Sequence, residues 1–363
     1  MFDMSSTGNF KTAFKDHREL LMCGVLYIAI TVLESFFCEV TIAEFSRVFL
    51  GFVLVILKCV ILLVIMGGGV YLRGIFLPPM PGKTRLQSAG LLLDDMQQRY
   101  LRGEVFAQGC IGLLVIMCAT FYFIQKSLLT VLHPFEWDFT FAEVDKFLHF
   151  GHTPDEFIVP LADKFHLGGL LDVAYFFWFA VMYGLIGFGL FWDNNRKRRL
   201  QLLWAFFLSW ALLGSLVGTV FSAGGPVFIH DFYPHVADPY KDFVAYIDAH
   251  GPTDFSIAYR SRFLLLTWMN NGQMVNPNAV DAFPSMHLAI AWLAVLYARC
   301  FSRKALAAAL AFVVLIYMAT ILFGFHYGVD GYVSIILMTL IWWAMGKYLS
   351  HYYPESDPPL RRV

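Results

Sequence analysis

Charge is what this chain has least of. Only 15% of its 363 residues are Asp, Glu, Lys or Arg, too few to solvate the surface of a water-soluble domain of this length. The net charge of −1 says nothing about a nucleic-acid partner, but no basic face interleaved with aromatics is present, so none is expected. The six cysteines include no Cys-x-x-Cys pair and lie in or at the ends of apolar runs, so they read as packing residues, not as disulfides or a zinc site. The histidines lack metal-ligand spacing such as His-Glu-x-x-His. No internal repeat or low-complexity block is present, and the first apolar run ends in ESFFCEV without a small-residue cleavage site, so it reads as an uncleaved anchor.

What is abundant is apolar surface. Hydrophobic residues make up 58% and aromatics 17%, with a mean hydropathy of +0.62. This is the composition of an all-α integral membrane protein, since only helices or closed barrels satisfy their backbone in lipid. Apolar stretches long enough to span occur near 20–38, 47–71, 105–125, 170–192, 200–221, 285–300, 305–325 and 331–349, giving about eight helices by the bilayer-thickness rule. Lys and Arg collect at 11–18, 73–102, 196–199, 299–304 and 347–362, which are alternate gaps of that series. Because basic residues stay on the cytoplasmic side, both termini are expected there, with 126–169, 222–284 and 326–330 on the opposite face. The membrane is expected to be a bacterial inner membrane or a Golgi-type membrane. Residues 1–104 form an N-terminal hairpin and linker, 105–349 the membrane core and 350–363 a tail.

The outward segments carry helix signals of their own. Thr153 and Glu156 form a capping box around Pro154, and Phe157, Ile158, Leu161 and Phe165 follow at helical spacing. Asp238-Pro239 opens a further amphipathic stretch that ends at Gly251-Pro252. The roughly sixty residues 222–284 are therefore a helical cap and not a slack loop, which would be unusual at that length. The cap leads directly into the motif FPSMH at 283–287.

FPSMH and HYGVD at 326–330 carry the chemistry. In HYGVD, His326 and Asp330 stand at i and i+4, one turn apart on one helix face. Asp330 can then take the proton-bearing nitrogen of His326 and leave the other free to attack phosphorus; the same spacing also serves a plain helix-end pair. In FPSMH, Pro284-Ser285 is a helix start, with Ser285 as cap and the next amides placed for an anion. His287 beside them is either a proton donor to a leaving oxygen or an interfacial histidine. Arg260 and Arg262, with Lys241 behind them, are the nearest cations in sequence for a phosphate, and snorkelling to headgroups is the alternative. Asp172 and Tyr175 open the fourth span, where they serve either an alcohol or headgroup or as interfacial anchors. Glu34 is the one carboxylate deep in an early span, without an evident partner.

In order and spacing, P-S-x-H, one helical hairpin and then H-x3-D resemble the signature of the type 2 phosphatidic acid phosphatase superfamily, over roughly 105–349. The resemblance implies a six-helix core with two added N-terminal helices, His326 as nucleophile, Asp330 as its support and His287 as acid. The departures are specific. Ala319 and Thr320 stand where the phosphatase branch has Ser-Arg, and Met286 replaces the glycine of P-S-G-H. Aligning the upstream Lys-x6-Arg-Pro element on Pro226 puts Gly218 and Gly225 at its cationic positions. What remains, with a GGP turn before the cap, is more similar to the inositolphosphotransferase branch, which includes fungal inositol phosphorylceramide synthases. That likeness implies transfer of a phospho-headgroup from a phospholipid to a lipid alcohol at the extracytoplasmic face, through a phosphohistidine. No metal or organic cofactor is implied, because no ligand cluster is present. Hydrolysis of lipid phosphates or polyprenyl pyrophosphates uses the same residues, and a transporter or scramblase would use a polar site without reaction.

Overall fold

Apolar runs bounded by capping residues become helices along the chain. The computed structural model describes residues 14–38, 103–193, 195–270 and 280–352, with scattered positions between 50 and 101. Among them there is no strand. Helix α1 is Arg18–Phe37, α2 Glu104–Leu132, α3 Asp138–Leu148, α4 Pro154–Lys164 and α5 Gly168–Phe191. Helix α6, Arg196–Leu208, continues through a π-helical stretch, Ser209–Val217, and ends at Val220. Short helical turns at Pro226–Phe228 and Ile229–Phe232 lead into α7 Lys241–Asp254 and α8 Ser256–Asn270. Helices α9 Met286–Ala298, α10 Arg303–Leu322 and α11 Gly328–Tyr352 follow.

Among the described residues, six helices are long and apolar enough to cross a membrane: α1, α2 through Lys126, α5, α6 with its extension, α10 and α11. The chain is an integral membrane protein. The expected span at 47–71 lies outside the described residues. The expected span at 285–300 is corrected in length: α9 has 13 residues, about 20 Å at 1.5 Å per residue. It is buried among α5, α10 and α11, so protein and not lipid surrounds most of it.

Local chemistry explains the boundaries. Asn195 accepts from the Arg198 amide at 2.8 Å to start α6, and Ser302 from the Ala305 amide at 3.1 Å to start α10. Glu156 accepts from the Thr153 amide at 3.0 Å, the capping box read from the sequence. The polar residues of α1 and α2 meet one another: Gln125 donates to Glu34 at 2.9 Å and Tyr27 to Gln125 at 3.1 Å. Glu34 thus has its partner, and α2 is tied to α1 inside the apolar bundle.

Two main apolar cores result among the described residues, beside a small cluster of Leu200, Met345 and Leu349. The larger fills the bundle between α2, α5, α6 and α9. The second, rich in aromatics such as Phe141, Phe228, Phe283 and Tyr327, sits where α3, α4, α7 and α8 cover one end. Helix connectivity places Arg196 and Arg303 at the far end, because α6 and α10 both run from those basic starts towards the covered end.

Two carboxylates of α3 hold that end together. Asp138 accepts from the Gly224 and Gly225 amides at 2.9 and 2.8 Å and from the Tyr327 hydroxyl at 2.7 Å. Asp145 accepts from the Gly328 and Val329 amides at 2.7 and 2.8 Å, capping α11 by satisfying amides that lack a partner within the helix. Gly225 has φ +104°, and a Cβ there would stand 2.8 Å from the Phe325 carbonyl oxygen. The GGP turn therefore packs directly against the HYGVD loop, with the Val227 amide donating to the Gly324 carbonyl at 2.9 Å.

Candidate active site

The loop after α10 and the turn before α9 bring the two motifs together. Ser285 is the N-cap of α9 and accepts from the Leu288 amide at 3.4 Å, which sets the first turn and the position of His287. Asp145 and Asp138 fix the other side, where HYGVD enters α11. The His287 and His326 rings then lie 5.8 Å apart, centre to centre, at 66°. They line one cavity of about 240 Å³, walled mainly by aromatics.

His326 is buried and its orientation is set twice. Its Nδ1 lies 2.6 Å from the Ala282 carbonyl oxygen and 3.4 Å from Asp330 Oδ2. A carbonyl only accepts, so Nδ1 carries the proton and Nε2 keeps its lone pair. The sequence assigns this orienting task to Asp330; the shorter bond belongs to the backbone of Ala282, and Asp330 Oδ2 is shared with the Tyr327 amide at 2.9 Å. Burial pushes the His326 pKa down to about 3, so the ring is neutral near pH 7 and available as a nucleophile. His287 is held differently. Tyr175 stacks on it at 4.3 Å and 18°, and Trp178 lies 4.5 Å away at 41°, with its Nε1 donating to the His287 carbonyl at 3.0 Å.

Of the cations nearest in sequence, none lines the cavity. Arg260 and Lys241 are exposed, and Arg262 is turned into an ion pair with Asp248 at 2.8 Å. That expectation is corrected: neighbours along the cap are not neighbours in space. The cation in the wall is Lys126, at the end of the membrane-spanning part of α2. Its charge reaches both His287 and His326, and Asp281 is the carboxylate close enough to act on it. No ion pair within 4 Å meets Lys126 among the described residues. Gly218 and Gly225 have no room for cationic side chains, since a Cβ at Gly218 would lie 2.9 Å from Asp281 Oδ2 and one at Gly225 would meet the Phe325 carbonyl.

Asp172 is corrected as well. Its two oxygens accept from the Ile257 and Ala258 amides at 2.9 Å each, so it caps α8 and does not line the cavity. Tyr175 does line it, with its ring committed to His287. Ser285 is fully buried and outside the lining. Thr320, at the position of the missing arginine, bonds its own helix through the Tyr317 carbonyl at 2.8 Å. Among the described residues no group of three or more His, Cys, Asp or Glu is gathered as metal ligands.

Sequence reasoning passes over three carboxylates and one lysine that shape this site: Asp138, Asp145, Asp281 and Lys126. The lysine had a signal, being ionisable at the end of an apolar span. Comparison with protein families gives a match to a model described as PAP2 superfamily over residues 140–344. No curated protein and no solved structure matches the chain.

Proposed function

The chain belongs to the PAP2 superfamily, and from that premise we propose that it is a membrane phosphotransferase that moves a phospho-headgroup from a phospholipid to a lipid alcohol through a phosphohistidine. The observation that carries this reading is Lys126, a cation without a close ion partner among the described residues, in one cavity with His287 and His326. A charge partly withdrawn from water in this way is costly unless an anion arrives to meet it. A phosphate held there faces a neutral imidazole nitrogen on one side and a second imidazole on the other.

Two balanced steps follow. In the first, His326 Nε2 forms a bond to phosphorus as the bond to the leaving alkoxide oxygen breaks, and His287, which takes up a proton when the anionic phosphate binds beside it, gives that oxygen its proton. In the second, neutral His287 takes the proton of an acceptor hydroxyl while its oxygen attacks phosphorus and the bond to Nε2 breaks. Together the two steps return both rings to their starting states. Lys126 stays bound to the phosphoryl oxygens and stabilises the charge that builds on them.

An alcohol competes with water for the same intermediate, so the surroundings of the site decide the product. The cavity wall includes Phe176, Phe179, Leu264 and Leu265, an apolar setting that excludes water and suits a lipid acceptor. Purified protein in vesicles should convert donor phospholipid mainly to free headgroup phosphate without acceptor, and to a new phospholipid when a lipid alcohol is added. Hydrolysis alone across a broad panel of alcohols would leave the phosphatase reading standing.

We read the active site as extracytoplasmic, on the strength of the basic clusters at 196–199 and 299–304 at the other end of the bundle. In a cysteine-free background, Pro160→Cys and Ala245→Cys should react with an impermeant thiol reagent in intact cells, and Lys197→Cys only after permeabilisation. The reverse labelling would turn the site towards the cytoplasm.

A further inference from the structure

We infer that Asp281 is a second ligand-binding group of this cavity, taking a hydrogen bond from a hydroxyl of the transferring headgroup or of the acceptor alcohol. The inference rests on the phosphotransfer reading above and goes beyond it by assigning a recognition group for the alcohol.

Asp281 lines the same cavity as Lys126, His287 and His326. It is 9% exposed, and its Oδ1 has no hydrogen-bond partner among the described residues. Oδ2 accepts from the Tyr122 hydroxyl at 3.0 Å. The next residue, Ala282, is anchored on both sides, its amide to the Ala223 carbonyl at 2.8 Å and its carbonyl to His326 Nδ1 at 2.6 Å. Asp281 is thus built into the frame that orients His326. Gly218 makes the space for it, because a Cβ there would stand 2.9 Å from Oδ2.

The chemistry of the two acceptors selects the ligand. A carboxylate and a phosphate both accept hydrogen bonds and repel one another, so Asp281 weakens the binding of a bare phosphate in this cavity. A hydroxyl on the ligand removes the conflict by donating to the carboxylate, while its phosphate meets Lys126. Burial raises the Asp281 pKa to about 6, with Lys126, the Tyr122 hydroxyl and the Phe283 amide opposing the rise, so the carboxylate is the main form near pH 7. A site built to bond a hydroxyl discriminates strongly against the analogue that lacks it.

The test compares wild-type protein with Asp281→Asn in vesicles, with Tyr122→Phe as a second variant that alters the carboxylate's setting from the other side. Donors are phosphatidylinositol and phosphatidylmethanol of matched acyl chains, with and without an acceptor diacylglycerol whose acyl chains differ in length from the donors', so that the transfer product is distinct from the donor. If the hydroxyl is the headgroup's, Asp281→Asn lowers the kcat/KM ratio of phosphatidylinositol to phosphatidylmethanol at least about tenfold, and the split between transfer and hydrolysis stays as in wild type. If it is the acceptor's, the transfer-to-hydrolysis ratio falls instead and the donor ratio stays. Because both readouts are ratios, reduced folding yield does not obscure them. Wild-type values of both ratios in both variants, whatever the loss of rate, would overturn the inference and leave Asp281 as a counter-charge for Lys126. Failure of wild-type protein to turn over any donor would instead remove the phosphotransfer reading, and the inference with it.

Discussion

Replacing His326 by alanine is expected to abolish turnover, with a loss of about 10⁴-fold or more, the scale for removing a nucleophile that works with a base. His287 is not placed to replace it, being stacked on Tyr175 with its ring centre 5.8 Å from that of His326. Asp330→Asn should cost less than His326→Ala. The proton on Nδ1 is already fixed by the Ala282 carbonyl at 2.6 Å, and Asp330 stands further off at 3.4 Å. An asparagine there still accepts from the Tyr327 amide, so the loop keeps its shape. Initial rates on phosphatidylinositol for the two variants, with thermal unfolding measured beside them, check the order. Turnover of His326→Ala near the wild-type rate would refute the assignment.

Lys126→Gln is expected to give the second-largest loss, about 2.7–4 kcal/mol of transition-state stabilisation or roughly 10²–10³ in rate, the scale for one donor to a developing oxyanion. Lys126→Arg should recover part of it, because the charge is kept while the planar guanidinium fits less well where an ammonium stood. Arg260→Gln should stay within about twofold of wild type, as surface substitutions away from a site usually do, because that side chain is exposed on α8 and outside the lining. Equal losses at 126 and 260 would mean that the cap closes over the substrate and brings its arginine inward.

The contrast between these two positions shows what a sequence alone discloses. HYGVD and FPSMH are legible because each is local: a cap, a helix start, or a pair one turn apart is decided within five residues. Six of the expected spans, together with the capping box at Thr153, are legible for the same reason. Contacts between distant segments are not. Asp138 and Asp145 find backbone amides 86 and 183 residues away, and nothing near them in the sequence marks those partners. Asp172 reads as a polar group at a helix mouth and is one, but its ligand is the start of α8, 85 residues on. Lys126 resembles any snorkelling lysine at the end of a span until the fold brings it to the histidines.

The measurement that bears most directly on the central claim is capture of the covalent intermediate. Wild-type protein mixed with headgroup-labelled phosphatidylinositol, quenched in alkali within the first turnover and digested, should yield an acid-labile phosphoryl adduct on the peptide containing residue 326, formed at least as fast as product and discharged by added lipid alcohol. Turnover at full rate with no adduct at His326 at any quench time would contradict the account.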